Sequence, residues 1–218
     1  MEHDFWHERW AKNETGFHLD RANPFLKKHW GTLQASSNDS IFVPLCGKSL
    51  DLTWLAQRVK HVIGIELSQK AVDNFFAGND LKPDISQHEN LIEYRYKNVT
   101  LYCGDFFQLT PADVNACQFI YDRACLIAFP QEMRRAYANK LLELFPQKTR
   151  TLLITLEYPQ AEMDGPPFSV QTDEVENLFK LHNSIKCLET KDILEKSQRF
   201  KDKGITALLE RVFILEKR

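Results

Sequence analysis

Glycine is scarce in this chain. Only 8 of its 218 residues are glycine, roughly half the share of about 7% usual in soluble proteins. A function that cradles phosphates on a run of glycines has little to work with here. Cysteine is sparse and unpatterned: Cys46, Cys103, Cys117, Cys125 and Cys187 are odd in number and contain no C-x-x-C pair. Neither a disulfide framework nor a structural zinc is expected. No apolar run approaches the about 18 residues that suggest a membrane-spanning helix. The N-terminus (Glu2, His3, Asp4, His7, Glu8, Arg9) lacks the apolar core of a secretory signal. The expectation is a cytoplasmic protein without membrane association. An excess of one charge is missing too. Lys and Arg number 28 against 30 Asp and Glu, for a formal net charge of −2, so no nucleic-acid partner is expected.

What is present is a globular composition, 43% hydrophobic and 11% aromatic. Trp6 and Trp10, at i and i+4, mark a first helix. A second is punctuated by Asn23 as N-cap and Pro24 at its first position, with Gly31 read as its stop. After a polar linker (Ser36 to Ser40), buried strands alternate with amphipathic helices. Strands are expected at Ile41 to Leu45, His61 to Leu67, Val99 to Cys103, Gln118 to Tyr121, Thr151 to Leu156 and Ala207 to Leu215. Helices are expected at Asp51 to Val59, after Ser68, after Pro130 and over Asp173 to Leu181. The polar stretch Gly78 to Asn98 reads mostly as loop. Alternating β and α segments with nearly continuous apolar strands imply a single α/β domain over 1–218. Its Rossmann-like, mostly parallel, doubly wound sheet is covered by helices on both faces.

In such sheets, ligands sit beyond the carboxyl ends of the strands. The first strand runs into Leu45-Cys46-Gly47-Lys48-Ser49, the second ends at Glu66, the third is followed by Gly104-Asp105-Phe106, and the fourth leads to Asp122-Arg123. Glu66 lies 19 residues beyond Gly47, close to the interval of about 20 at which an acid reaches ribose hydroxyls. Asp105 suits an exocyclic amine, and Phe106 offers a ring to a purine. Taken singly, Glu66 is equally a solvated strand-end acid and Asp105 a turn residue or N-cap; in register they describe an adenosine pocket. A P-loop is excluded because the position five residues before Gly47 is Phe42. The dinucleotide fingerprint lacks two of its three glycines, which counts against a nicotinamide-dependent oxidoreductase. S-adenosylmethionine, adenosine joined to a sulfonium amino acid, fits better because it presents no pyrophosphate.

Several segments together resemble the thiopurine S-methyltransferase family, its bacterial members in particular. They are Phe5 to Trp10, Gly16 to His18, Pro44 to Ser49, Gly64 to Ser68, Gly104 to Phe107, Tyr121 to Ala124 and Gly165 to Phe168. The resemblance implies a class I methyltransferase fold with S-adenosylmethionine as cofactor and S-adenosylhomocysteine as product. It implies cofactor contacts at Trp10, Leu45, Glu66, Asp105, Phe106 and Arg123. Acceptor contacts are implied at Phe17, Arg123 and Arg199, with no certain catalytic residue; the two arginines are candidates for orienting the acceptor. The implied acceptor is an aromatic or heterocyclic thiol such as a thiopurine, or a selenium or tellurium compound. The alternative is a non-catalytic Rossmann-type nucleotide-binding module.

Methyl transfer to a thiolate neutralises charge, so a dry site that aligns both sulfurs suffices. Residues 1–35, bearing Trp6, Trp10 and Phe17, are read as a helical cover over the cofactor; plain packing of the tryptophans on the core is the alternative. His3 and His7 lack a third ligand, so no metal is expected. Cys46 reads as a small buried residue rather than a nucleophile. Nothing in the sequence sets the oligomeric state, and a monomer is compatible with it.

Overall fold

The computed structural model describes all residues except 1, 2, 15, 17 and 147. The chain divides into two compact units, Met1–Tyr121 and Asp122–Arg218.

The first unit contains α1 (His3–Ala11), α2 (Pro24–Leu33), β1 (Ser40–Val43), α3 (Asp51–Ala56), β2 (His61–Glu66) and α4 (Gln69–Gly78). These are followed by β3 (Asp84–His88), β4 (Leu91–Tyr96), β5 (Val99–Cys103), α5 (Pro111–Val114) and the first part of β6 (Phe119–Arg123). Strand order is β3-β4-β5-β2-β1-β6. The four strands β5, β2, β1 and β6 are parallel, with Ile41 opposite both Val62 and Phe119, and Ile63 opposite Thr100. That is the arrangement their apolar runs imply: every residue of β1 and β5 is buried. A parallel pair needs a crossover, and α3 supplies it between β1 and β2.

Gly78 to Asn98 departs from its sequence reading. It is not mostly loop but forms the antiparallel β3–β4 hairpin, and β4 pairs antiparallel with β5. Four of the five β3 residues are exposed, so no buried face imposes alternation. Gly31 is a second correction: α2 continues to Leu33 and closes at Gln34, whose φ is 60. Asn23 caps α2 as expected, its Oδ1 accepting from the N–H groups of Phe25 and Leu26. The buried Asp51 carboxylate accepts from Asn23 N at 2.6 Å and Tyr121 Oη at 3.0 Å, joining α2, α3 and β6.

The second unit begins inside β6 and contains α6 (Gln131–Leu144), β7 (Arg150–Glu157), α7 (Thr172–Phe179), β8 (Asn183–Asp192), α8 (Gln198–Lys201) and β9 (Leu209–Lys217). Strand order is β7-β9-β8, antiparallel throughout. β8 lies in a stretch given no element in the sequence reading, because its exposure does not alternate cleanly and its register shifts between Cys187 and Glu189. A small core of Tyr158, Met163, Phe200, Ile205 and Leu208 gathers the segments beyond β7 and before β9.

Thr155, in the middle of β7, is fully buried, and its hydroxyl has no hydrogen-bond partner. An unmet buried hydroxyl costs about 1–3 kcal/mol, and valine has nearly the same shape. Thr155→Val is expected to raise the Tm, by about 2–4 °C per kcal/mol in a chain of this size. Calorimetric scanning of both proteins reads it; an unchanged or lowered Tm contradicts the expectation.

Candidate functional site

The strand ends of the first unit converge on one buried carboxylate. Glu66, the last residue of β2, is 6% exposed. Its Oε2 accepts from Gly47 N at 2.9 Å, in the turn after β1, and its Oε1 accepts from Ser68 N at 2.8 Å, at the N-cap of α4. Its backbone carbonyl accepts from Gly104 N, just past β5, at 2.9 Å. One residue thus ties together the ends of three parallel strands. Burial pushes its carboxyl from 4.5 to about 7; the N–H groups of Ser68, Gly47 and Leu67 oppose the rise without cancelling it.

The turn after β1 is held in an unusual backbone. Leu45 (φ 44) and Gly47 (φ 55) both lie in the left-handed region, which glycine enters freely and leucine does not. A Cβ on Gly47 would sit 3.2 Å from Cζ2 of Trp10. Trp10 is 3% exposed, so the tryptophan of α1 lies against this turn. Two further contacts hold α1 here: Lys70 Nζ donates to Ala11 O at 3.1 Å, and His3 Nε2 lies 3.5 Å from Asp105 Oδ2.

Asp105 caps the 3-10 turn Phe106–Gln108, its Oδ1 accepting from Phe107 N at 2.9 Å. Phe106 is buried, and Phe107 meets it edge to face with ring centroids 5.4 Å apart. Cys46 is buried beside Glu66, and desolvation pushes its thiol well above the ordinary range. That environment suits a small apolar residue rather than a nucleophile.

In the second unit, Arg123 ends β6 and Arg199 lies exposed on α8, its guanidinium 5.1 Å from the Phe200 ring centroid. Glu210 on β9 has its carboxyl raised by burial, with Arg123 and Lys191 pulling it back down. Gly165 to Phe168 forms a folded-back ledge. Gly165 has φ 79, and a Cβ there would meet the Phe168 ring at 2.5 Å, so glycine is required. Tyr158 Oη donates to Pro167 O at 2.6 Å, and Phe168 N donates to Ile127 O at 2.7 Å. Phe17 lies outside the described residues.

Sequence reasoning passed over Arg134. It is 2% exposed; its Nε donates to Phe129 O at 2.9 Å, and its NH1 pairs with Glu174 at 2.5 Å. The only sequence signal was an arginine one residue beyond Met133 on the apolar side of α6, which helical spacing alone cannot distinguish from a surface charge. Asp122, described below, is the second omission.

A sequence model of thiopurine S-methyltransferases matches residues 1–218. The chain is 46% identical over 217 residues to a thiopurine S-methyltransferase of Pseudomonas aeruginosa and 44% identical over 218 residues to one of Azotobacter vinelandii; each alignment covers 100% of both chains. The chain belongs to the thiopurine S-methyltransferase family. It is an S-adenosylmethionine-dependent methyltransferase. Among solved structures, it is similar in fold to an S-adenosylmethionine-dependent methyltransferase from Anabaena variabilis, with TM-score 0.63, 12% identity and coverage of 99% and 95% of the two chains. It is likewise similar to 1,6-didemethyltoxoflavin-N1-methyltransferase from Burkholderia thailandensis, crystallised with S-adenosylhomocysteine, with TM-score 0.63, 12% identity and coverage of 99% and 86%. The expected class I methyltransferase fold is therefore present; in the first unit antiparallel β4 adjoins parallel β5, and in the second β7, β9 and β8 pair antiparallel. S-adenosylmethionine is the cofactor of this methyltransferase. Among the described residues, no helix is long and apolar enough to cross a membrane.

The donor set fits that cofactor. Oε2 of Glu66 accepts from Gly47 N and Oε1 from Ser68 N, and a carboxylate oxygen has room for two donors. A vicinal diol can therefore be received without breaking the turn.

The raised Glu66 carboxyl has a stability consequence. The folded chain holds its proton up to about pH 7, whereas an unfolded chain releases it near pH 4.5. Stability is therefore lost as pH rises between these values and stays lower above them. The loss is at most about 3.5 kcal/mol, for a rise from 4.5 to about 7 at roughly 1.4 kcal/mol per pKa unit. In Glu66→Gln this slope disappears, though a constant offset from the lost acceptor remains. Tm against pH for the two proteins, from pH 5 to 8, shows whether their difference changes; parallel curves contradict it.

Proposed function

We propose that this methyltransferase transfers its methyl group to the sulfur of aromatic or heterocyclic thiols, thiopurines among them, with selenium or tellurium compounds as further acceptors. Full-length identity of 46% to a thiopurine S-methyltransferase is the observation that carries the reading. The family match over 1–218 supports one functional domain and a cytoplasmic enzyme acting on a small molecule.

In this reading, Glu66 receives the ribose hydroxyls, while Leu45 and the Gly47 turn lie against the amino-acid part of the cofactor. Asp105 and Phe106 flank the adenine, with Asp105 Oδ2 as the acceptor that His3 now approaches. Trp10 closes over the turn as part of a cover formed by residues 1–35. When bound, S-adenosylmethionine supplies a methyl group made electrophilic by its sulfonium. Arg123 contacts both ligands, and Arg199 and Phe17 contact the acceptor. The two guanidiniums favour the ionised thiolate and fix its direction. No strong base is needed, since aromatic thiols ionise readily.

Three measurements test this. Labelled S-adenosylmethionine is offered with a panel of aromatic thiols, selenide and tellurite; label is expected in the methylated thiols, and none in any thiol removes the proposed acceptor class. Arg123→Ala is expected to lower kcat/KM by about tenfold to a hundredfold, the range of a lost charge-assisted hydrogen bond; an unchanged value sinks its role. Calorimetry with S-adenosylhomocysteine is expected to show Glu66→Gln binding about tenfold more weakly than the unmodified chain. Equal affinities would remove Glu66 from the cofactor site.

A further inference from the structure

Arg123 is followed by a backbone that no alanine adopts willingly. Ala124 has φ 68, in the left-handed region, and Cys125 behind it is completely buried. The sequence Asp122-Arg123-Ala124-Cys125 is thus a sharp turn that throws Arg123 off the end of β6. Residues held in such conformations persist only where their surroundings over-determine them.

Asp122 provides that determination. It is 1% exposed, and its Oδ2 accepts from Tyr137 Oη of α6 at 2.7 Å. Its Oδ1 has no hydrogen-bond partner, and the N–H and thiol of Cys125 act on the carboxyl to favour its ionised form. Aspartate carboxylates stabilise turns by facing the N–H groups of residues that follow. Burial pushes this carboxyl up to about 6. The groups shown to act on it are Tyr137 from α6 and Cys125 from its own turn. Successive residues of a strand point to opposite faces. Asp122 therefore faces inward onto Tyr137, while half-buried Arg123 leaves on the other side, toward the field of Glu210.

We propose that Asp122, clamped by Tyr137, is the positioning residue for Arg123: the buried carboxylate holds the strained turn that aims the guanidinium. The inference rests on the reading that Arg123 contacts the ligands. A carboxylate in the dry interior is poorly placed for stability alone, because burial raises its carboxyl despite the Tyr137 and Cys125 groups that favour the ionised form. Its place one residue before Arg123 gives that arrangement a use.

A double-mutant cycle tests it in the full chain. Asp122→Asn and Tyr137→Phe are made singly and on the Arg123→Ala background, with kcat, KM for an aromatic thiol, and Tm measured for each. With Arg123 present, each variant is expected to lower kcat/KM by about tenfold, mostly by raising acceptor KM. On the Arg123→Ala background, each is expected to lower it by less than about twofold, while the fall in Tm is the same in both backgrounds. Equal losses of kcat/KM in both backgrounds make Asp122 a general structural residue and overturn the proposal, as does no loss with Arg123 present. If Asp122→Asn does not fold, Tyr137→Phe tests the same link from the other side. Arg123→Ala with unchanged kcat/KM overturns both the role given to Arg123 and this inference; an impaired Arg123→Ala with additive partners overturns this inference alone.

Discussion

The buried Glu66 carboxylate is the constraint on which the ends of the parallel strands depend. Parallel strands do not by themselves set the geometry of the turns that follow them. Here one side chain takes the Gly47 and Ser68 N–H groups, and its own carbonyl takes the Gly104 N–H. The turn after β1, the start of α4 and the segment leading to Asp105 are thereby fixed relative to one another. The arrangement opposes its own charge, since burial disfavours the ionised acid. An apolar residue at this position would leave the Gly47 and Ser68 N–H groups without their acceptor.

The second unit is organised differently. Its loops are held by side-chain straps rather than by sheet ends. Gln160 spans one loop with both ends of its amide, donating to Met163 O at 2.6 Å and accepting from Ser169 N at 2.9 Å. Glu162 accepts from both the N–H and the hydroxyl of Thr206. Arg134, buried and paired with Glu174, braces α6 against α7. A buried pair of this kind adds little net stability compared with apolar packing. It does fix the direction in which α6 meets α7.

Particular residues show how much of this was legible beforehand. The parallel strands were, because a strand buried on both faces must be apolar throughout, as Ser40–Val43 nearly is and Val99–Cys103 mostly is. Glu66 was legible from its spacing to Gly47, and the cap at Asn23 from its partner Pro24. β3 was not, because a strand with four exposed residues carries no periodic signature. The end of α2 was misplaced because Gly31 sits on an open helix surface, where a missing side chain does not interrupt the backbone. Arg134 and Asp122 were invisible as special residues: charge in a sequence reads as surface until a partner across the fold buries it.

The sequence by itself determined the order and kind of most elements, the placement of Glu66, Asp105 and Arg123 at or just beyond strand ends, and membership of a methyltransferase family. These follow from local hydrophobic patterning and from motifs a few residues long. The tertiary structure alone decided that β3 and β4 join the first unit's sheet antiparallel, that burial raises the Glu66 carboxyl to about 7, that Phe106 is buried, and that Asp122 is buried against Tyr137. Each of those depends on which distant segment covers a residue and excludes water from it. Strand pairing and desolvation are long-range quantities, and no local window of the chain contains them.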